Sequence, residues 1–448
     1  MLRRLALVLV AAAAIASALV IVACGGSDNN GSDNKIGNVQ GISADTCGDV
    51  QYSGSGTPSK LIVSDLPLQG DSAERSKQQN QAIVQELANR GWQAGPGIQV
   101  AFQACDDTIA STGEWDEATC KSNAQAYANN PDVIGVIGTY NSGCAALEIP
   151  ILNQAPNGGL AMVSPGNTLV CLTETASTCE PGQPNSLYPN GERNYARVVP
   201  NDAVQGAGMA TFAKEQGIQK PFVLIASDDP TSEGQGQTFA GAAKSLGMQV
   251  TGIQHYDPNA ASYTKFMKQA KAAGADAIFL GAILELGGTQ LIKDKVTVLG
   301  PNDGAVKLLA PDGFDQQSTI DQAGNAAAGM FASAPGKEPS TLSGAGSAFV
   351  KELKAQVGDK PLETFAPYAG EAAEVLLDAI KSGKDRAGTI AALFKTDIKD
   401  GIIGSISITP SGDPTPPPIS ISKAAKTFEL EKTIVPTKAA ISGARAGG

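Results

Sequence analysis

The chain has 448 residues, a formal net charge of −11, 42% hydrophobic residues and a single histidine. That length allows two or three domains with ample buried cores. An acidic chain with no basic patch argues against nucleic-acid binding and against electrostatic docking on anionic lipid.

At the start, Arg3 and Arg4 precede an apolar run from Leu5 to Ala23, and Ile21-Val22-Ala23 leads directly into Cys24. A charged start, an apolar middle and small residues at a cleavage site are the parts of a secretory signal. A Cys directly after them makes a bacterial lipobox. The run is long enough to span a bilayer, but Cys24 and the polar Gly25-Gly26-Ser27-Asp28-Asn29-Asn30 behind it suit lipidation better. Residues 1–23 are therefore expected to be a removable signal peptide. Cys24 is expected to carry a lipid that anchors the body outside the cell membrane. Residues 24–57, rich in Gly, Ser, Asp and Asn, read as a flexible tether.

From Lys60 short apolar runs alternate with helical stretches, the pattern of parallel sheets covered by helices. Strands are expected at Leu61–Val63, Ile98–Phe102, Val133–Ile137 and Leu160–Val163, with helices at Ser72–Asn89, Trp115–Asn129 and Cys144–Asn153 between them. The polar stretch Leu172–Asn194 breaks the rhythm, which then restarts. Strands are expected at Phe222–Ala226, Gln249–Gln254, Ala277–Leu280 and Val306–Leu309, with helices at Gly236–Leu246 and Tyr263–Ala273. Long helices at Ser347–Gln356 and Phe365–Lys381 and a half-exposed strand at Ile402–Ile408 follow. Two similar doubly wound α/β lobes with a late helical section imply that the chain crosses between them more than once. Pro416-Pro417-Pro418 and the Gly443–Gly448 segment mark a poorly ordered end.

Behind Cys24 stand Cys47, Cys105, Cys120, Cys144, Cys171 and Cys179. An even set in an exported chain reads as three disulfides. A zinc site needs closely spaced Cys or His ligands, and neither CxxC spacing nor a second His exists. Cys171 and Cys179 flank a short polar segment and should close it. The other four allow three pairings that spacing does not separate.

Catalytic constellations are missing. One His, His255, leaves little from which to build a nucleophile and base pair. Gly234-Gln235-Gly236 lacks the third Gly of a phosphate-binding fingerprint. Asp106-Asp107 and Asp228-Asp229 lie at strand ends, where capping of the following loops is the better reading. No catalytic residue, cofactor or metal is expected. What recurs is small polar residues at the carboxyl ends of strands, where open parallel sheets bind ligands. Ser142 and Gly143 open a helix whose free N–H groups suit a carboxylate. Ser164-Pro165-Gly166-Asn167-Thr168 follows the next strand, and Glu285 follows a strand of the second half. The set fits a zwitterion, with its carboxylate at Ser142 and its ammonium at Thr168 and Glu285. Each Ser or Thr alone fits an N-cap as well.

Five segments in order resemble the branched-chain amino-acid-binding proteins of ABC importers, which have the type I periplasmic-binding-protein fold. They are Leu66-Pro67-Leu68-Gln69-Gly70, Cys105-Asp106-Asp107, Gly138-Thr139-Tyr140-Asn141-Ser142-Gly143, Ser164-Pro165-Gly166-Asn167-Thr168 and Tyr368-Ala369-Gly370-Glu371-Ala372. The resemblance runs from about Leu61 to Ile408. The lobes are expected at 58–196 plus 334–400 and at 197–333 plus 401–435, with a disordered tail at 436–448. The resemblance implies that Ser142 holds a ligand carboxylate, and that the Gly166 carbonyl, Thr168 and Glu285 hold an ammonium. Glu233-Gly234 stands where the family often has Tyr-Gly in a cleft-facing loop, which favours a polar or cationic solute over a purely aliphatic one. A family disulfide resembles Cys120–Cys144, which leaves Cys47 for Cys105.

The implied function is a monomeric, lipid-anchored solute receptor that closes over an amino acid or similar small solute and delivers it to permease subunits. A ligand sensor presenting its closed form to a signalling receptor is the alternative on the same fold.

Overall fold

Most strands show no polar–apolar alternation because helices cover both faces of their sheets. Val133–Gly138 and Pro221–Ala226 are buried at every position, as parallel strands inside an α/β layer must be. The computed structural model describes residues 34–109, 114–415 and 418–448.

The first sheet has the order Gln93–Gly95, Ile98–Asp106, Lys60–Leu66, Val133–Gly138, Ala161–Ser164, Tyr195–Arg197. It is parallel except for the short Gln93–Gly95 edge. Leu61 and Val63 enter the core on one face, and Ile62 the core on the other, the two-residue period of a strand buried twice. The helices Ala73–Asn89 and Ala366–Gly383 pack together over this lobe. Gly135 lets Leu376 pack close there, because a Cβ would stand 2.7 Å from a Leu376 methyl.

The second sheet runs Gly252–Tyr256, Pro221–Ala226, Ala277–Gly281, Lys307–Ala310, Phe331–Pro335, Ile419–Ala424, Phe428–Ile434. The first five strands are parallel and the last two antiparallel. Val223 and Ile225 face one core while Phe222 and Leu224 face the other. Two doubly wound parallel-sheet lobes are thus present, as the alternating pattern implies. The chain passes between them near Val198–Asn201, near Gly336 and again between Ile408 and Ile419. Among the described residues, no helix is long and apolar enough to cross a membrane.

Four expectations are corrected. Residues 34–57 are docked, not a free tether. Val39 and Ile42 are buried, Ile42 N–H donates to Gln103 Oε1 at 2.7 Å, and Gln103 Nε2 returns bonds to the Ile42 and Gly48 carbonyls. The tail is not disordered, because Lys438–Ala446 is a helix capped by Thr437 and packed on the helix Pro230–Ser245 through Ala440 and Ala444. The lobe boundary is not at 401: Gly404–Ser407 pairs with Asp397–Gly401 as a hairpin, and Ile402, Ile403, Ile406 and Ile408 lie in the first lobe's core. The helix expected from Gly236 begins at Pro230, because Asp229 caps it and Pro suits its first turn.

The disulfides are Cys47–Cys105, Cys120–Cys144 and Cys171–Cys179. The expected signal and the lipidation site at Cys24 lie outside the described residues, as do Pro416 and Pro417.

Candidate functional site

The segments that follow the parallel strands converge. Pro67 and Ser72 follow Lys60–Leu66, Asn141 follows Val133–Gly138, and Ser227, Asp228 and Asp229 follow Pro221–Ala226. Asp257, Pro258 and Asn259 follow Gly252–Tyr256, while Ile283, Glu285 and Leu286 follow Ala277–Gly281. With Glu114 and Trp115 they enclose a cavity of about 290 Å³ between the lobes. This is the carboxyl edge of both sheets, where open α/β folds place ligands. Glu114, Asp228, Asp229, Asp257 and Glu285 contribute carboxylates, and among the described residues no basic side chain lines the cavity. Burial raises the pKa of Glu114, Asp229 and Glu285, as a partly dehydrated wall does to its carboxyl groups.

Polar bonds tie the lobes together beside this cavity. Ser72 Oγ donates to Glu285 Oε1 at 2.5 Å, and Arg75 Nη2 donates to the Asp315 carbonyl at 3.1 Å. Thr364 Oγ1 donates to Asp315 Oδ2 at 3.1 Å. The Arg75 guanidinium lies 4.7 Å from the Tyr140 ring centre, a cation–π contact. Burial pushes Asp315 up to about 7 against the pull of Arg75.

Ser142, Ser164 and Thr168 are brought together, but turned inward. Ser142 Oγ accepts from the Thr168 and Leu169 N–H groups at 3.1 and 3.2 Å. Ser164 Oγ donates to the Thr139 carbonyl and accepts from the Gly166 and Asn167 N–H groups. None of these three lines the large cavity. Gly143 is covered by Trp115, whose ring a Cβ would meet at 2.5 Å, and Gly166 lies against Tyr140 in the same way.

Glu285 is at the cavity wall. Glu233 occupies the first turn of Pro230–Ser245 and pairs with His255 Nε2 at 2.6 Å; it lines not this cavity but a neighbouring pocket between the lobes, which shares Asp228 and Asp229 with it. Asp106 and Asp229 are caps, as read from the sequence: Asp106 accepts from the Leu68 and Thr108 N–H groups, and Asp229 from Ser232.

Ser72, Trp115, Asn141 and Asp257 escaped the sequence reading, since each becomes a wall residue only when the second lobe is placed opposite the first. Asp202 escaped it too. It opens the helix Asp202–Glu215 behind the cap Asn201, the commonest place for an acid with no further role. Burial, and then the charge of Asp312, raise its pKa to about 8, while Thr168 and Arg197 hold it back. The grouping of Cys120, Cys144 and Glu148 offers no thiolate to a metal, because both sulfurs are spent in a disulfide.

The sequence matches the periplasmic binding protein family over residues 67–423. No curated protein matches it. Among solved structures, the fold is similar to a leucine-binding protein from Thermotoga maritima, at 22% identity and TM-score 0.71, covering 84% of this chain and 99% of that one. It is similar to an ABC transporter substrate-binding protein from Desulfitobacterium hafniense in complex with Leu, at 22% identity and TM-score 0.64, over 83% of this chain and 99% of that one. A solute-binding protein of an R. palustris ABC transporter, in complex with 4-hydroxybenzoate, gives 18% identity and TM-score 0.68, over 85% and 97%. With the family match spanning most of the chain and both lobes of the type I fold present, this chain belongs to the periplasmic binding protein family.

Proposed function

We propose that this chain is the extracytoplasmic receptor of an ABC importer. It is held to the cell membrane by a lipid on Cys24, and it closes its lobes over an amino acid or similar small polar solute before docking on permease subunits. The observation that carries this reading is the interlobe cavity, whose wall comes from both sheets. A solute shifts an open–closed equilibrium only through contacts that differ between the two states, and a wall shared by both lobes supplies them. Glu285 faces the solute, while Ser142, Gly143, Ser164, Gly166 and Thr168 shape the first-lobe loops beneath it. Glu233 lies off this wall. The family binds solutes and does not transform them.

The test is small-angle scattering with titration calorimetry on the full chain. A saturating solute should reduce the radius of gyration with a single-site isotherm. Tight binding without compaction would remove hinge closure from the proposal.

A further inference from the structure

The chemistry of the solute is the next step, and it rests on the solute-binding reading above. A second void, of about 10 Å³, is lined by Asp202, Gln205, Gln235, Thr238 and Ser333 together with apolar neighbours. That is room for one water-sized group. Asp202 is 1% exposed, and neither of its carboxylate oxygens has a hydrogen-bond partner. Oε1 of Gln205 and Oε1 of Gln235 are likewise buried and unpartnered.

The orientation of both amides is fixed. Their Nε2 atoms donate to Asp312 Oδ1 at 2.8 and 3.3 Å, so their oxygens are left over. The hydroxyls alongside are committed elsewhere, Thr238 to the Gln235 carbonyl and Ser333 to the Ala310 carbonyl. The Thr168 hydroxyl faces Asp202 but falls short of hydrogen-bond geometry. With the Asp202 carboxyl ionised, the void is therefore a nest of acceptors. A water has two protons to give and lone pairs of its own to satisfy, whereas an ammonium brings three donors, no lone pair and a charge.

Its position fits the closing seam. Asp202 N–H donates to the Thr168 carbonyl at 2.7 Å, and the Asp312 carbonyl on the other side meets Arg75 across the lobes. The charge of Asp229, a wall residue of the large cavity, is felt at Asp202.

We propose that this void seats the ammonium group of the solute, with Asp202 as counter-ion and the Gln205 and Gln235 amide oxygens as further acceptors. The solute is then a primary amine or amino acid rather than a simple carboxylate.

Matched pairs test this on the full chain by thermal shift and calorimetry: L-leucine against 4-methylpentanoate, γ-aminobutyrate against butyrate, and L-phenylalanine against 3-phenylpropanoate, with sodium and calcium chloride alone as further arms. The expected result is that an amine binds and its partner lacking nitrogen binds at least about tenfold more weakly. Asp202→Asn should weaken the amine by a similar factor while keeping a cooperative melt. Gln235→Met, which removes one acceptor and no charge, should weaken it less. Equal binding of a matched pair, or unchanged amine affinity in both variants, overturns the inference and leaves the solute-binding reading standing. A melting-temperature rise with sodium or calcium alone that Asp202→Asn abolishes assigns the seat to a metal ion and overturns the ammonium. A panel in which nothing binds overturns both the inference and, for this solute class, the reading beneath it.

Discussion

Arg197 and Asp202 flank the same crossing between the lobes, and both are buried, yet their surroundings are opposite. Arg197 is fully spent. Its Nε donates to Asp413 Oδ1 at 2.8 Å, its Nη1 to the Asn167 and Leu169 carbonyls, and its Nη2 to Thr173 Oγ1. It thereby clasps the first-lobe loop to the segment that makes the last crossing. Asp202 keeps both oxygens empty. A buried polar group with all its partners stabilises the crossing, whereas one without partners costs stability until something arrives to pair with it. The crossing thus contains one group that serves the scaffold and one held in readiness for a solute.

The strongest way to test this contrast is to remove each charge. Arg197→Met should destabilise the protein by about 3–5 kcal/mol, because Asp413 is left buried without its cation. Urea denaturation of the full chain measures it, and a loss under about 1 kcal/mol would deny the clasp.

Asp202→Asn should act in the opposite direction on the empty protein, raising its stability by about 1–3 kcal/mol at high pH. The sign follows from the raised pKa. Below about 4, the ordinary carboxylate range, both the folded and unfolded states hold the proton and no penalty exists. As pH rises towards about 8 the unfolded chain releases the proton while the folded chain retains it, so stability falls with pH across that window. The advantage of the variant should grow over the same range in thermal melts. A gain independent of pH would show that the carboxyl is not the cause. Glu371, which burial also pushes up to about 8, should add a slope of the same sign that survives in Asp202→Asn.

Ser142→Ala probes the first-lobe side, where the Ser142 and Ser164 hydroxyls already have their partners. Losing the acceptor for the Thr168 and Leu169 N–H groups should cost about 1 kcal/mol, the scale of a lost cap. Amine affinity should fall by less than in Asp202→Asn, because the loop is loosened while the counter-ion stays. If Ser142→Ala weakens the solute more than Asp202→Asn does, the direct contact lies on the first lobe and the contrast is reversed.

The lobes, most strand positions and the ligand-bearing edge were legible in the sequence, because strands such as Val133–Gly138 and Pro221–Ala226 are unbroken apolar runs and each is followed by its polar loop. The docking of residues 34–57 was not, since it rests on scattered apolar side chains such as Val39 and Ile42, a disulfide, a glutamine from a distant strand and backbone bonds such as those between Gln51 and Phe102. The terminal helix escaped because it is short and its Gly443–Gly448 end reads as unstructured, although Ala440 and Ala444 are buried on one face. At the site, Glu285 could be placed from its strand end. The inward turn of Ser142 and Ser164 could not, because a hydroxyl at a loop shows its partner only in three dimensions. Nor could the empty state of Asp202, which is defined by what surrounds it.

Glu233 gives the smallest expected effect and the finest test of which residues belong to the wall. The Tyr-Gly position made it a candidate for the cleft, but its carboxylate is engaged by His255 Nε2 at 2.6 Å and by Gln237 Nε2 at 2.8 Å. The pair is open to solvent, with side-chain exposures of 50% for His255 and 35% for Glu233, so water and salt screen it and its worth is about 0–1 kcal/mol at most. Glu233→Gln should therefore leave the melting curve almost unmoved, with any difference lost at 1 M salt, where screening acts within about 3 Å. Solute affinity should change by less than about twofold, the range of an exposed and screened pair. A tenfold loss in calorimetry would mean that Glu233 leaves His255 for the solute when the lobes close. The cationic group would then be gripped at the rim of the cleft, and the buried oxygens of Asp202 would need another partner.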